Sequence, residues 1–115
     1  MNLNKAPQQI TIDIAGRSIC RVKVGSCLVD KQGRIFSVGW NHVNDGYGLH
    51  AECHAIQRAN RRRLEGSTIY VAGFRARNGL GVPAKPCEAC SRVLEWSGVS
   101  RVVYLDKTKW KEYNV

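Results

Sequence analysis

The sequence has no long hydrophobic run, and this absence excludes more than any other. No stretch approaches the roughly 20 apolar residues a membrane-spanning helix needs, and Met1 to Ile10 is polar where a secretory leader would carry its apolar core. Proline is scarce, at three residues, and no repeat, low-complexity tract or Pro/Ser-rich stretch marks a linker. A single domain over residues 1–115 and a cytoplasmic location are the resulting expectations. Acidic residues are few: nine Asp and Glu stand against 18 Lys and Arg, a formal net charge of +9. That balance favours anionic partners, although a solvated basic surface produces the same count. A disulfide framework is missing too, because five is an odd number of cysteines. Cys87 and Cys90 form a C-x-x-C pair, which in a reducing compartment reads as metal-binding or redox. Cys20, Cys27 and Cys53 fall in or near apolar runs and read as buried, inert thiols.

What is present reads as a mixed α/β layer. Residues 8–20 are ambiguous, since Ile10, Ile12 and Ile14 alternate like a strand while Ala15 and Ile19 suit a short helix. Val22 to Val29 and Arg34 to Trp40 read as two strands joined by the turn Asp30-Lys31-Gln32-Gly33. Asn44 to Gly48 is loop by composition. His50 to Arg63 reads as one helix whose basic C-terminal end, Arg61-Arg62-Arg63, suits the helix dipole. Thr68 to Phe74 reads as a strand, Arg75 to Ala84 as a loop, and Pro86 to Trp96 as a second helix stopped by Gly98. Arg101 to Leu105 is a strand, and Lys109 to Val115 is short enough to be a last strand folding straight back. Trp96 is expected in the core. Trp40 is expected in the core or on a pocket wall. The sum is a sheet of about five strands with two or three helices.

The chemistry is carried by His50-Ala51-Glu52 and Pro86-Cys87-Glu88-Ala89-Cys90. His50, Cys87 and Cys90 are three good zinc ligands that leave one tetrahedral position open, the mark of a catalytic rather than a structural site. Both strings begin predicted helices, where partial positive charge helps hold thiolates, and cysteines three apart on one turn face the same way. Zinc held there would bring a water toward ionisation at neutral pH, and Glu52, two residues past the histidine, is free to move its protons. Two rival readings use the same residues. His54 with His50 and the cysteine pair composes a closed Cys2His2 site, which would make the protein a non-catalytic zinc-binding module. A thioredoxin-type redox pair would leave His50-Ala51-Glu52 unexplained.

These residues resemble the cytidine deaminase-like superfamily, and the resemblance covers nearly the whole chain. It takes in Val24-Gly25-Ser26, Gly39-Trp40-Asn41, Leu49 to Ala59 and Lys85 to Tyr104. The resemblance implies a three-layer α/β fold with a mixed five-stranded sheet and an antiparallel last pair of strands. It also implies one zinc ion per chain on His50, Cys87 and Cys90, with Glu52 as proton shuttle. Asn41 would contact the substrate sugar or base, and the Ala51 backbone N–H would meet the base carbonyl. Lys85 stands where tRNA adenosine deaminases usually carry glutamate, and this points to cytosine rather than adenine. Family members with this last-strand topology are commonly tetramers, so a homo-oligomer is expected.

Two substrates fit a hydrolytic conversion of cytosine to uracil. Single-stranded DNA or RNA is favoured by the net charge, by Arg61-Arg62-Arg63 and by Phe74-Arg75-Ala76-Arg77, where one aromatic and two arginines precede the metal helix. In that reading Phe74, Arg75, Arg77 and Lys85 contact substrate. Free cytidine, deoxycytidine or a nucleotide is favoured by the short chain and the last-strand topology.

Overall fold

The computed structural model describes residues 6–44 and 47–115. Proline suits the first helical position because its missing N–H has no partner there in any case, and Pro7 opens α1 (Pro7–Ala15). Ile10 and Ile14, four apart, are buried on one face of α1, and this settles the ambiguity of residues 8–20 in favour of a helix. The strands are β1 (Val22–Val29), β2 (Ile35–Trp40), β5 (Thr68–Arg75), β6 (Gly81–Val82), β7 (Arg101–Asp106) and β8 (Lys109–Asn114). They form one sheet in the order β2-β1-β5-β7-β8, with the short β6 paired to the end of β5. A two-stranded hairpin, β3 (His42–Asn44) and β4 (Tyr47–Leu49), stands apart. Helices α2 (Ala51–Arg58), α3 (Arg61–Leu64) and α4 (Glu88–Ser97) complete the described chain.

Strands β5 and β7 are parallel, with α4 as their crossover, while the other pairs are antiparallel. Helix α1 covers one face, where Ile10 and Ile14 pack on Cys27, Val29 and Val38. The other face carries Leu28, Ile69, Val71 and Val102 under Ala55 of α2 and Leu94 of α4. Two glycines on neighbouring strands set the spacing of these layers. A side chain at Gly25 would run into the α1 backbone at Thr11 and Ala15, and one at Gly39 into the α2 backbone at Ala51 and Ala55. The expected three-layer mixed α/β fold with an antiparallel last pair is what the chain forms, and β6 extends the sheet beyond five strands.

Several expected boundaries move. The helix expected over residues 50–63 breaks after Arg58, because Ala59 turns extended and the Asn60 side chain accepts from the Arg62 N–H to begin α3. The second metal helix starts at Glu88 rather than Pro86, with Cys87 as its N-cap. Of the loop expected over residues 44–48, Asn44 ends β3 and Tyr47 and Gly48 belong to β4, while residues 45–46 lie outside the described residues. Trp96 is not in the core: it is 83% exposed. Leu94 points inward on α4, and two residues on is about 200° round a helix. Among the described residues no helix is long and apolar enough to cross a membrane.

Candidate metal centre and catalytic pocket

The site depends on how closely α2 lies on the sheet. Ser26 of β1 faces Gly39 of β2, Ser37 sits two residues back, and all three are small and buried. The Ser26 hydroxyl donates to the Ala51 carbonyl at 2.7 Å, and Ser37 donates to Ala55 at 2.7 Å. Small side chains let the helix approach, and the two hydroxyls fix its rotation. His50 and Glu52 thereby come to the sheet end at which α4 begins. Sequence reasoning quoted Ser26 only as part of a motif. Its signal was a hydroxyl residue inside the small and apolar stretch Val24 to Val29.

At that end the N-cap of α2, His50, meets the N-cap of α4, Cys87, and Cys90 one turn on. One ligand atom from each of His50, Cys87 and Cys90 lies within 4.8 Å of the others. His50 Nδ1 is 3.1 Å from Cys90 Sγ and 3.7 Å from Cys87 Sγ. Zinc bonds of about 2.0–2.3 Å to nitrogen and sulfur set tetrahedral edges of roughly 3.5–3.8 Å, so this donor set fits a zinc ion. Cys90 is buried while His50 and Cys87 are exposed, which leaves the open side toward solvent and the adjoining cavity. Burial, then the neighbouring Glu52 carboxylate, pushes the Cys90 thiol up, a direction a bound cation would reverse.

That cavity, about 210 Å³, is lined by His50, Cys87, Glu52, Asn41, Lys85 and Val24, among others. Glu52 is only 5% exposed. Burial pushes its carboxyl up, while its own backbone N–H, the nearby His50 and the Cys90 thiol pull the other way. A buried carboxyl beside a cation site, with raised proton affinity, has the character of a general acid and base.

The family profile described as "Cytidine and deoxycytidylate deaminase zinc-binding region" matches residues 3–106. The chain belongs to this deaminase family. It is 28% identical, over an alignment of 109 residues, to the "Probable deoxycytidylate deaminase" of Drosophila melanogaster, taking in 72% of this chain and 48% of that protein. The human "Deoxycytidylate deaminase" is 24% identical over 104 residues, covering 72% of this chain and 52% of its own length. The chain thus spans about half the length of the curated relatives it matches. Among solved structures, the dCMP deaminase of cyanophage S-TIM5 superposes with a TM-score of 0.68 at 26% identity, covering 90% of this chain and 82% of that one. The cytidine deaminase of Mycobacterium leprae shares the fold, with a TM-score of 0.65 at 21% identity over 91% of this chain and 88% of that one.

The remaining residues expected at this deaminase-family site divide into two groups. Asn41 lines the cavity, but its amide also ties β2 to β1: Oδ1 accepts from Val24 N–H and Nδ2 donates to the Val22 carbonyl, both at 2.8 Å. Ala51 is fully buried at the first position of α2, where a backbone N–H has no partner within the helix. Lys85 is exposed on the cavity wall, its Nζ 5.3 Å from the Tyr113 ring. Tyr113, on β8, also lies beside Ser91 of α4, a proximity that no local motif announces.

Arg75, Arg77 and Phe74 do not line this cavity. Phe74 pairs with Lys23, whose neighbour Gly25 faces α1 two residues on, so Phe74 lies on the α1 face, away from the metal residues. Arg75 alternates onto the metal face, and with Arg77 it lines a separate cleft. His54 is turned aside from the metal group. Its Nδ1 accepts from the Trp40 N–H at 3.1 Å, and its ring lies 4.6 Å from both Trp40 and His42. One turn on, Arg58 donates to the Val38 carbonyl. Together they satisfy outward backbone groups of the edge strand β2. Cys53, expected to be a buried inert thiol, is half-buried with its Sγ 3.9 Å from Cys90 Sγ.

Proposed function

We propose that this chain catalyses the hydrolytic deamination of cytosine to uracil in a free nucleoside or nucleotide. The observation that carries the reading is a three-ligand metal group and a buried carboxyl opening into one small cavity. His50, Cys87 and Cys90 would hold the metal, and zinc bound there lowers the pKa of a water molecule and supplies the nucleophile. Glu52 takes a proton from the attacking water and passes it to N3 of the ring, then takes the remaining proton of the new C4 hydroxyl and delivers it to the amine, which leaves as ammonia. Its burial raises its proton affinity, which suits a group that holds a proton between two transfers. Asn41, fixed by two bonds to β1, keeps a second amide hydrogen for the sugar or base. The Ala51 N–H, at the positive end of α2, would meet the base carbonyl.

Two residues behind the single-stranded nucleic acid reading are engaged elsewhere. Arg63 is bound to Asp30 at 2.7 Å, and Phe74 lies on the α1 face. The relatives carry nucleotide names, and these favour the free substrate. The test is uracil formation from deoxycytidine, its 5′-monophosphate and a cytosine-containing single-stranded oligonucleotide, each with and without chelator. Chelator-sensitive conversion of a small substrate is expected. Conversion of the oligonucleotide alone would replace this reading with a polynucleotide deaminase.

A further inference from the structure

The two metal helices start alike. Each has a ligand at its N-cap, His50 on α2 and Cys87 on α4, and a cysteine as its third helical residue, Cys53 and Cys90. Three of these four side chains make the metal group, and Cys53 is the one left out. A residue three positions past the N-cap lies about one turn into its helix. The N-caps meet, and the two sulfurs one turn on meet as well. Cys53 Sγ is 3.9 Å from Cys90 Sγ, which is itself 3.1 Å from His50 Nδ1. Cys90 therefore stands between a metal ligand and a thiol outside the metal group.

This pair differs from the C-x-x-C pair. Cys87 and Cys90 are both donors to the metal, whereas Cys53 keeps a free thiol with the metal in place. Cys53 is half-buried and open to a molecule as small as a peroxide, while Cys90 is buried behind it. Burial pushes the Cys53 thiol up, which slows its attack, so nearness rather than acidity selects the product. A disulfide is about 2.05 Å long, so the sulfurs must close by roughly 2 Å, which rotation about the two Cα–Cβ bonds supplies.

We propose that Cys53 and Cys90 form an oxidative modification site, at which a peroxide joins the two sulfurs and withdraws one ligand from the metal. Cys53 gives up its proton and attacks one oxygen of hydrogen peroxide. The O–O bond breaks, leaving a sulfenic acid and water. The Cys90 sulfur then attacks the Cys53 sulfur, the S–O bond breaks and hydroxide departs. Two electrons pass from the sulfurs to the peroxide, and only His50 and Cys87 remain as metal donors. A thiol reductant reverses the bridge by exchange.

The test exposes the zinc-loaded chain to hydrogen peroxide, follows zinc release with a chromogenic chelator, and maps cysteine linkage by peptide mass. One zinc per chain should leave as a Cys53–Cys90 bridge appears, and dithiothreitol with added zinc should restore the starting state. Cys53→Ser should keep its zinc over an exposure that empties the wild type, with Cys53→Ala as a second variant and melting curves to verify both folds. Cys20→Ser, which removes another half-buried cysteine, should behave as wild type. Equal zinc loss from wild type and Cys53→Ser, a Cys87–Cys90 bridge, or sulfinic and sulfonic acids in place of any bridge would each overturn the site. None of these readouts uses deamination, so the substrate reading and this one fail separately. If the chain holds no zinc, the deaminase reading fails, and the bridge is still read from the metal-free chain: its formation supports the pair and its absence removes it.

Discussion

Glu52 and Asp30 are two carboxyls of the same chain, 5% and 9% exposed, with opposite chemistry. Asp30 closes the turn between β1 and β2. Its Oδ1 accepts from the Gln32 and Arg34 N–H groups at 3.0 and 2.9 Å, and its Oδ2 accepts from Arg63 Nε and Nη2 at 3.0 and 2.7 Å. These donors, the Arg34 N–H first and the Arg63 guanidinium next, hold its carboxyl below the ordinary range. No side-chain cation forms an ion pair with Glu52 among the described residues, and burial pushes its carboxyl up. The contrast teaches that burial alone does not say what a carboxyl does. One whose charge is fully answered joins two parts of the fold, and one whose charge is under-answered is ready to exchange protons.

The sharpest way to break this comparison is at Glu52. Glu52→Ala should lower kcat by about 10²- to 10⁴-fold while metal analysis still finds zinc and the melting temperature does not fall. Undiminished turnover would remove Glu52 from the chemistry. Asp30→Asn should do the reverse, lowering the melting temperature by several degrees with deamination per folded molecule unchanged. Acid sharpens it further. Because the folded pKa of Asp30 is depressed, its contribution is complete above the ordinary value of 3.8 and is lost as pH falls through the lower folded value. The gap in melting temperature between wild type and Asp30→Asn should therefore close in that window, and a constant gap would show that the charge is not the cause. The smallest effect concerns the histidines. His54→Ala should cost about 1 kcal/mol for one lost hydrogen bond yet retain zinc, whereas His50→Ala should lose the metal. Metal loss from both would revive a closed site that uses His54.

The metal residues were legible because their signal is local: C-x-x-C and H-x-E each lie within one turn, and chain neighbours need no fold to bring them near. The strands β1, β2, β5 and β7 were legible for the same reason, from short apolar runs between turn residues, and β8 from the shortness of the segment after β7. The basic residues were not. Arg61-Arg62-Arg63 is the most conspicuous charge run, yet Arg63 is drawn to Asp30 and lies 4.9 Å from the Phe36 ring. Arg21 lines one cleft with Arg75 and Arg77 only because β1 pairs antiparallel with β5, with Val22 opposite Arg75. Trp96 misled because hydrophobicity says what a side chain prefers, and helix rotation decides where it points.

By itself, then, the sequence determined the donor types, their spacing and the presence of an acid two residues past the histidine, since these are properties of residues close along the chain. Tertiary structure alone decided that Glu52 is buried, that His54 serves the β2 edge rather than the metal, and that three arginines distant in the chain line one cleft. Burial, edge satisfaction and charge clustering arise from contacts between segments far apart in sequence, and only strand order and register bring those segments together.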